Sequence, residues 1–245
     1  MPLSPRRTWL FIVLGSLGTA LYLMSQPAIP TSERLVSVRN RVLPAVQALA
    51  RNQSVALGAP IYIRIFKESQ ELEMWLKPAT GKEWKLVKIY PIATWGGGKL
   101  GPKLAEGDAQ APEGCYAVGP RQLNPSSNYH LAFNLGYPNA FDQAHDRTGS
   151  AIMVHGAKVS IGCFAMTDPG IEEIYLFAHE ALSAGQPQFS VHSFPFRMTA
   201  ERMKQAASDP NFPFWQSLQP IHDAFEQHHL PPQVTVVKGQ YALKP

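Results

Sequence analysis

Between positions 31 and 52 apolar residues recur at Leu35, Val38, Val42, Val46 and Leu49. Spacings of three and four predict an amphipathic helix, bent at Pro44. The pattern breaks at Leu57-Gly58-Ala59-Pro60. Ile61, Ile63 and Ile65 then alternate with Tyr62, Arg64 and Phe66, the period of a strand. A second strand is expected over 72–76 after a turn at 67–70. A third is expected over 84–92, after the turn at Thr80-Gly81-Lys82. A glycine-rich loop spans 95–112. Strands are predicted over 113–119 and 129–135, and a polar loop over 137–149. The apolar run 151–154 leads straight into His155.

After Cys163 the period changes. Asp168 reads as the cap of a helix with Pro169 in its first turn. Ile171, Ile174, Tyr175, Ala178 and Leu182 make its apolar face, and Gly185 suits its stop. A strand is expected over 189–194. Helices are expected over 199–208 and 214–229, the second interrupted by Pro220 and ended by Pro231-Pro232.

The beginning of the chain has a different character. Arg6 and Arg7 precede an apolar run over 9–24, the order of an export leader. The run is shorter than the roughly 20 residues of a full membrane span, and no Ala-x-Ala site follows it. A cleaved signal peptide and a retained anchor over 1–25 both stay open, and both export the rest. The 245-residue chain has 22 Lys plus Arg against 18 Asp plus Glu, a net +4, of which the leader holds two. The remainder is close to neutral, which leaves nucleic-acid binding by a basic face unsupported. Two cysteines are too few for a disulfide framework or a structural zinc site, and no metal or other cofactor is expected. Gly96-Gly97-Gly98-Lys99 is not a phosphate loop, because the spacing is wrong and no Ser or Thr follows the lysine.

The chemistry concentrates in Val154-His155-Gly156-Ala157-Lys158-Val159-Ser160-Ile161-Gly162-Cys163. A thiol near its ordinary pKa is mostly protonated at neutral pH, and an imidazole beside it can take that proton. A backbone carbonyl suffices to hold the imidazole in one tautomer. A Gly-Cys turn can aim successive N–H groups at a developing oxyanion. The thiolate would attack a carbonyl and form a thioester. Cys115 has no nearby histidine and reads as a small core residue. His192 is the rival base, since a Cys-then-His order suits a different class of cysteine peptidase. Arg147 and Lys158 flank the motif as candidates for substrate carboxylates, against the plainer reading of solvated loop charges.

His155-Gly156 with Ser160-x-Gly162-Cys163 resembles the catalytic domain of the L,D-transpeptidases (the YkuD-like fold) of bacterial cell-wall enzymes. The likeness extends to Tyr90-Pro91-Ile92, Gly101-Pro102-Lys103, Gly107-Asp108, Pro112-Glu113-Gly114, Phe133-Asn134, Tyr137-Pro138-Asn139 and the run from His192 through Thr199. These flanks are similar to the YafK-like branch, over roughly residues 58–230. The resemblance implies a mainly β, α+β fold: a β-sandwich catalytic domain over 58–196, after a helical segment over 26–57 and before a C-terminal helical extension over 197–245. It implies Cys163 as nucleophile and His155 as base, with the Gly156 carbonyl orienting His155. Ser160 would brace the loop, and the N–H groups of Ile161, Gly162 and Cys163 would form the oxyanion hole. Peptidoglycan stem peptides in the periplasm are the implied substrate. Ile161 stands where common members carry a second histidine, and Phe164-Ala165-Met166 follows the cysteine. The interval from His155 to Cys163 is also shorter. These departures imply a different substrate groove. The YafK-like branch implies an amidase that hydrolyses the meso-diaminopimelate–Lys bond to an outer-membrane lipoprotein. Crosslinking transpeptidation, lipoprotein attachment and an inactive peptidoglycan-binding module are the alternatives.

Overall fold

The computed structural model describes residues 28–244; the expected leader over 1–25 lies outside the described residues. Helix α1 (Glu33–Asn52) starts at Ser32, whose hydroxyl accepts the Leu35 N–H. It runs unbroken through Pro44. The proline lies on the solvent side, where water can take the Asn40 carbonyl that loses its partner. Leu35, Val38, Val42, Val46 and Ala50 are buried, so the stripe is the predicted one except at its end, where Ala50 takes the buried place and Leu49 is half-buried.

Strands β1 (Ile61–Phe66), β2 (Glu71–Leu76) and β3 (Lys85–Pro91) form an antiparallel meander, followed by the short β4 (Thr94–Trp95). β5 (Gly114–Val118), β6 (Leu123–Asn124) and β7 (Ala132–Asn134) come next. The polar segment expected to be a loop contains a helix, α2 (Ala140–Ala144). Asn139 caps it, and Asp142 at its third position reaches back to the Asn139 N–H. β8 (Met153–His155) and β9 (Phe164–Ala165) precede α3 (Asp168–Ser183) and β10 (Phe189–Phe194). Thr167, not Asp168, caps α3, with its side chain accepting the Gly170 N–H.

Two five-stranded sheets result, ordered β3-β2-β1-β10-β5 and β4-β9-β8-β7-β6. β1 is central, parallel to β10 and antiparallel to β2, and all six of its residues are buried. One core joins the two sheets to α1 and α3; Phe133 and Phe189 meet edge to face across it at 5.5 Å. α3 touches both sheets and α1, so Leu176, Phe177 and Ala181 are buried beside the predicted face. The architecture is α+β.

The opposite face of the first sheet is covered by the C-terminal segment. α4 (Ala200–Gln205) and α5 (Phe212–His228) bring Met203, Trp215, Leu218 and Ile221 onto Phe66, Phe194 and Phe196. α5 is not interrupted at Pro220. That ring also faces solvent, and so does Gln216, whose carbonyl it leaves free. The extension then adds a hairpin, β11 (Val234–Val237) with β12 (Gln240–Leu243), where only helices were expected.

Candidate active site

β8 and β9 lie side by side and parallel, with His155 opposite Ala165. Parallel neighbours usually need a crossover of a dozen residues or more. Here the segment 156–163 makes the link, and it brings Cys163 back beside the strand that carries His155. Around this link non-glycine residues adopt left-handed backbone: Ala151 (φ 54°), Ala157 (φ 60°) and Thr167 (φ 64°). Such strain clusters where a site over-determines its backbone. Asp168 holds the turn shut by accepting the Ala157 N–H at 2.8 Å, the role it takes in place of the predicted cap.

His155 is buried, and its Nδ1 donates to the Gly156 carbonyl at 2.5 Å. Burial pushes its pKa below the ordinary value, and the Gly156 bond partly offsets this. The Cys163 thiol is partly buried. Its Sγ accepts the Met153 N–H at 3.4 Å and faces the Ala151 carbonyl at 3.7 Å. Burial raises its pKa; the Met153 N–H and the Lys103 charge act the other way. Lys103 is itself buried, paired with Asp108 at 2.7 Å.

Cys163, His155 and Tyr129 line two adjoining cavities of about 270 Å³ each. Val159, Ser160 and Ile161 wall the first, and Asn124, Ser127, Asn128, Ala151 and Met153 the second. Ser160 Oγ donates to the Cys163 carbonyl at 2.7 Å and accepts the Gly162 N–H at 3.2 Å. Of the three backbone donors expected to face an oxyanion, Gly162 is therefore already engaged, which leaves Ile161 and Cys163. Gly162 (φ 124°) passes so near the Gln110 carbonyl that a Cβ would lie 3.2 Å from it. Ile161 is 87% exposed. A thiol and an oriented imidazole on the rim of one cavity can perform acyl transfer through a thioester.

Two expected site residues are placed differently. Arg147 does not reach the cavities. It is buried against Asp142 at 2.8 Å, with its guanidinium over the Phe214 ring at 4.4 Å. Lys158 is exposed outside the residues lining either cavity, and its carbonyl accepts from Thr94 Oγ1. His192 is no base for Cys163. It lies opposite Cys115 in the first sheet, bonded to the Tyr62 hydroxyl at 2.8 Å, and burial pushes its pKa down to about 3. Cys115 and Cys163 are both free thiols, and burial raises Cys115 far above its ordinary range. Tyr129, absent from the expected set, lies with its ring 4.8 Å from the His155 ring. Among the described residues no cluster of three or more His, Cys, Asp or Glu is placed to hold a metal, and no helix is long and apolar enough to cross a membrane.

No family model matches the chain. Two curated relatives do, both named "Putative L,D-transpeptidase YafK", from Escherichia coli strain K12 and from Escherichia coli O157:H7. Each is 46% identical over 187 residues, which cover 76% of this chain and 75% of the relative. Among solved structures, the helical cell shape determining protein Pgp2 from Campylobacter jejuni aligns over 79% of this chain and 80% of its own. Its identity is 16% and its TM-score 0.44. Bd1075 from Bdellovibrio bacteriovorus aligns over 69% and 57%, at 19% identity and a TM-score of 0.38. Superpositions this loose carry no argument; the curated relatives do. Their identity across three quarters of both chains shows that this protein belongs to the L,D-transpeptidase family, in its YafK-like branch.

Proposed function

We propose that this chain is an exported cysteine amidase of the periplasm. Its substrate is the meso-diaminopimelate–Lys amide that links an outer-membrane lipoprotein to peptidoglycan. The observation that carries the reading is the pair of side chains, Cys163 and His155, on shared cavities, with His155 Nδ1 fixed by the Gly156 carbonyl. Membership of the family supports peptidoglycan as the substrate class. In the catalytic unit, residues 58–196, His155 Nε2 takes the Cys163 proton as Sγ attacks the diaminopimelate carbonyl. The Ile161 and Cys163 N–H groups stabilise the oxyanion. The C–N bond breaks as the imidazolium protonates the departing lysine amine, leaving a thioester on Cys163. Water, deprotonated by His155, then attacks the thioester, and the thiol leaves with the proton restored.

Incubation with muropeptides that still carry the lipoprotein's terminal lysine tests this directly. Release of free lysine-terminated peptide is the expected result, with a transient thioester on Cys163 visible by intact mass. The lysine peptide leaves in either reading, so the stem decides: a free tripeptide carboxylate supports hydrolysis, and a new diaminopimelate–diaminopimelate crosslink in place of that free stem would overturn hydrolysis in favour of transpeptidation.

A further inference from the structure

The wall of the cavities facing the 156–163 link is the loop 125–130, and the first turn of α1 grips it. Ser32 Oγ donates to the Pro125 carbonyl at 2.9 Å. Arg34 donates through one guanidinium nitrogen to the Ser127 carbonyl at 2.6 Å and the His130 carbonyl at 2.5 Å. His130 adopts left-handed backbone (φ 68°), a conformation that a non-glycine residue keeps only when its surroundings impose it. Its ring is held from the other side, by Glu172 at 2.8 Å, and Glu172 is paired in turn with Arg41 of α1 at 2.6 Å. The Tyr129 carbonyl accepts the Gly156 N–H at 3.0 Å, so the loop is also stitched to the turn after His155.

Tyr129 itself is 50% exposed and belongs to none of the hydrophobic clusters. Its ring contact is the His155 imidazole, at 4.8 Å between centroids and 37° between planes, within the range of a favourable aromatic pair. The contacts therefore form one chain, from Arg34 to the 127–130 backbone, to Tyr129, to His155.

We infer that the first turn of α1 is a clamp that sets the orientation of the His155 ring through Tyr129, with Arg34 as its positioning residue. The inference rests on the reading of His155 as the base. The Gly156 bond fixes one edge of the imidazole but allows it to rock about that bond, and Tyr129 covers a face and limits the rocking. Proton transfer from Cys163 depends on that angle, since small misplacements of a reacting group are costly.

The test compares Arg34→Ala with Arg39→Ala in the full chain. Arg39 lies on the same helix and pairs with Glu180, away from the loop. Two readouts are taken: the His155 ring resonances by NMR, calibrated by the displacement in Tyr129→Leu, and the rate of Cys163 alkylation by iodoacetamide at pH 7. Arg34→Ala is expected to move the His155 signals most of the way towards those of Tyr129→Leu and to slow alkylation about tenfold. Arg34→Lys restores most of both, and Arg39→Ala changes neither. Unmoved His155 signals in Arg34→Ala overturn the clamp, as do moved signals with unchanged alkylation. Should Arg34→Ala fail to fold, Tyr129→Leu, a surface change, decides by its alkylation rate alone, with a tenfold loss supporting the inference and no loss overturning it. If His155→Ala alkylates as fast as the parent, the base assignment fails, and the resonance shifts still report separately whether Arg34 sets the ring.

Discussion

His155 Nδ1 lies 2.5 Å from the Gly156 carbonyl oxygen. A carbonyl only accepts, so Nδ1 carries the proton and Nε2 keeps its lone pair. That tautomer is the one a base for Cys163 needs. His155→Ala is expected to slow iodoacetamide labelling and turnover of lysine-bearing muropeptides by about a hundredfold or more. His192→Gln leaves labelling within about twofold of the parent, because His192 sits in the core beside Tyr62, where its loss lowers stability instead. Mass spectrometry of labelled protein should show one adduct, on Cys163 and not on Cys115. A dominant effect of His192→Gln on labelling would reverse the assignment.

The same burial sets the pH dependence. His155 is pushed below its ordinary value and Cys163 above its own, so the resting pair at neutral pH is thiol and imidazole, not thiolate and imidazolium. In the proposed mechanism His155 must be unprotonated to act as the base, and a lowered pKa keeps it so at more acid pH. The midpoint of the acid limb of kcat/KM is therefore expected below pH 6.5, about the value of a free imidazole. An acid limb above pH 7 would contradict the direction given by burial.

How much of this site was legible along the chain depends on distance. His155, Gly156, Ser160 and Cys163 fall within one short segment, and the strand-to-link-to-helix order showed in the switch from apolar run to helical period. The capping of α3 did not, because Thr167 and Asp168 are both good caps and only the chain path chooses between them. The same path frees Asp168 to take the Ala157 N–H. The burial of Arg147 follows from α2, and Asn139 with Asp142 three residues on is a helix-start signature that was readable in the polar segment. Val234-Thr235-Val236-Val237 followed by Lys238-Gly239 likewise carried a hairpin signal. Tyr129 and Arg34 had no comparable mark. Arg34 meets its carbonyls across more than ninety residues of sequence, and nothing local announces such a contact.

Ser160 ties together the turn that ends at Cys163, the proposed nucleophile, donating to the Cys163 carbonyl and accepting from the Gly162 N–H. The hydroxyl sits at a cavity rim, so removing it leaves no buried orphan and costs at most about 1 kcal/mol of stability. Its effect should appear in the chemistry. Ser160→Ala is expected to lower kcat about tenfold while the melting temperature stays within a few degrees, since the turn that aims Cys163 loosens without loss of core. Ser160→Thr keeps the hydroxyl and should recover most of the rate. Equal kcat in the parent and Ser160→Ala would remove the bracing role.

Gly156 leaves the least room for change. A Cβ there would lie 2.6 Å from Asp168 Oδ1, 2.7 Å from the Tyr129 carbonyl and 2.9 Å from His130 Cβ. Two of these three neighbours are fixed: the Tyr129 carbonyl accepts the Gly156 N–H, and His130 is held by Arg34 and Glu172. Asp168 could swing away only by giving up the Ala157 N–H. The added methyl must therefore push the 127–130 loop outward or turn the 156–157 peptide. Turning that peptide moves the carbonyl that orients His155. Gly156→Ala is expected to cost about 1–3 kcal/mol, as overpacking does, and to reduce Cys163 labelling more than the stability loss alone explains. Urea unfolding and iodoacetamide kinetics on the same sample separate the two effects. A Gly156→Ala protein that unfolds at the parent's midpoint and labels at the parent's rate would mean that the turn has slack this packing does not show.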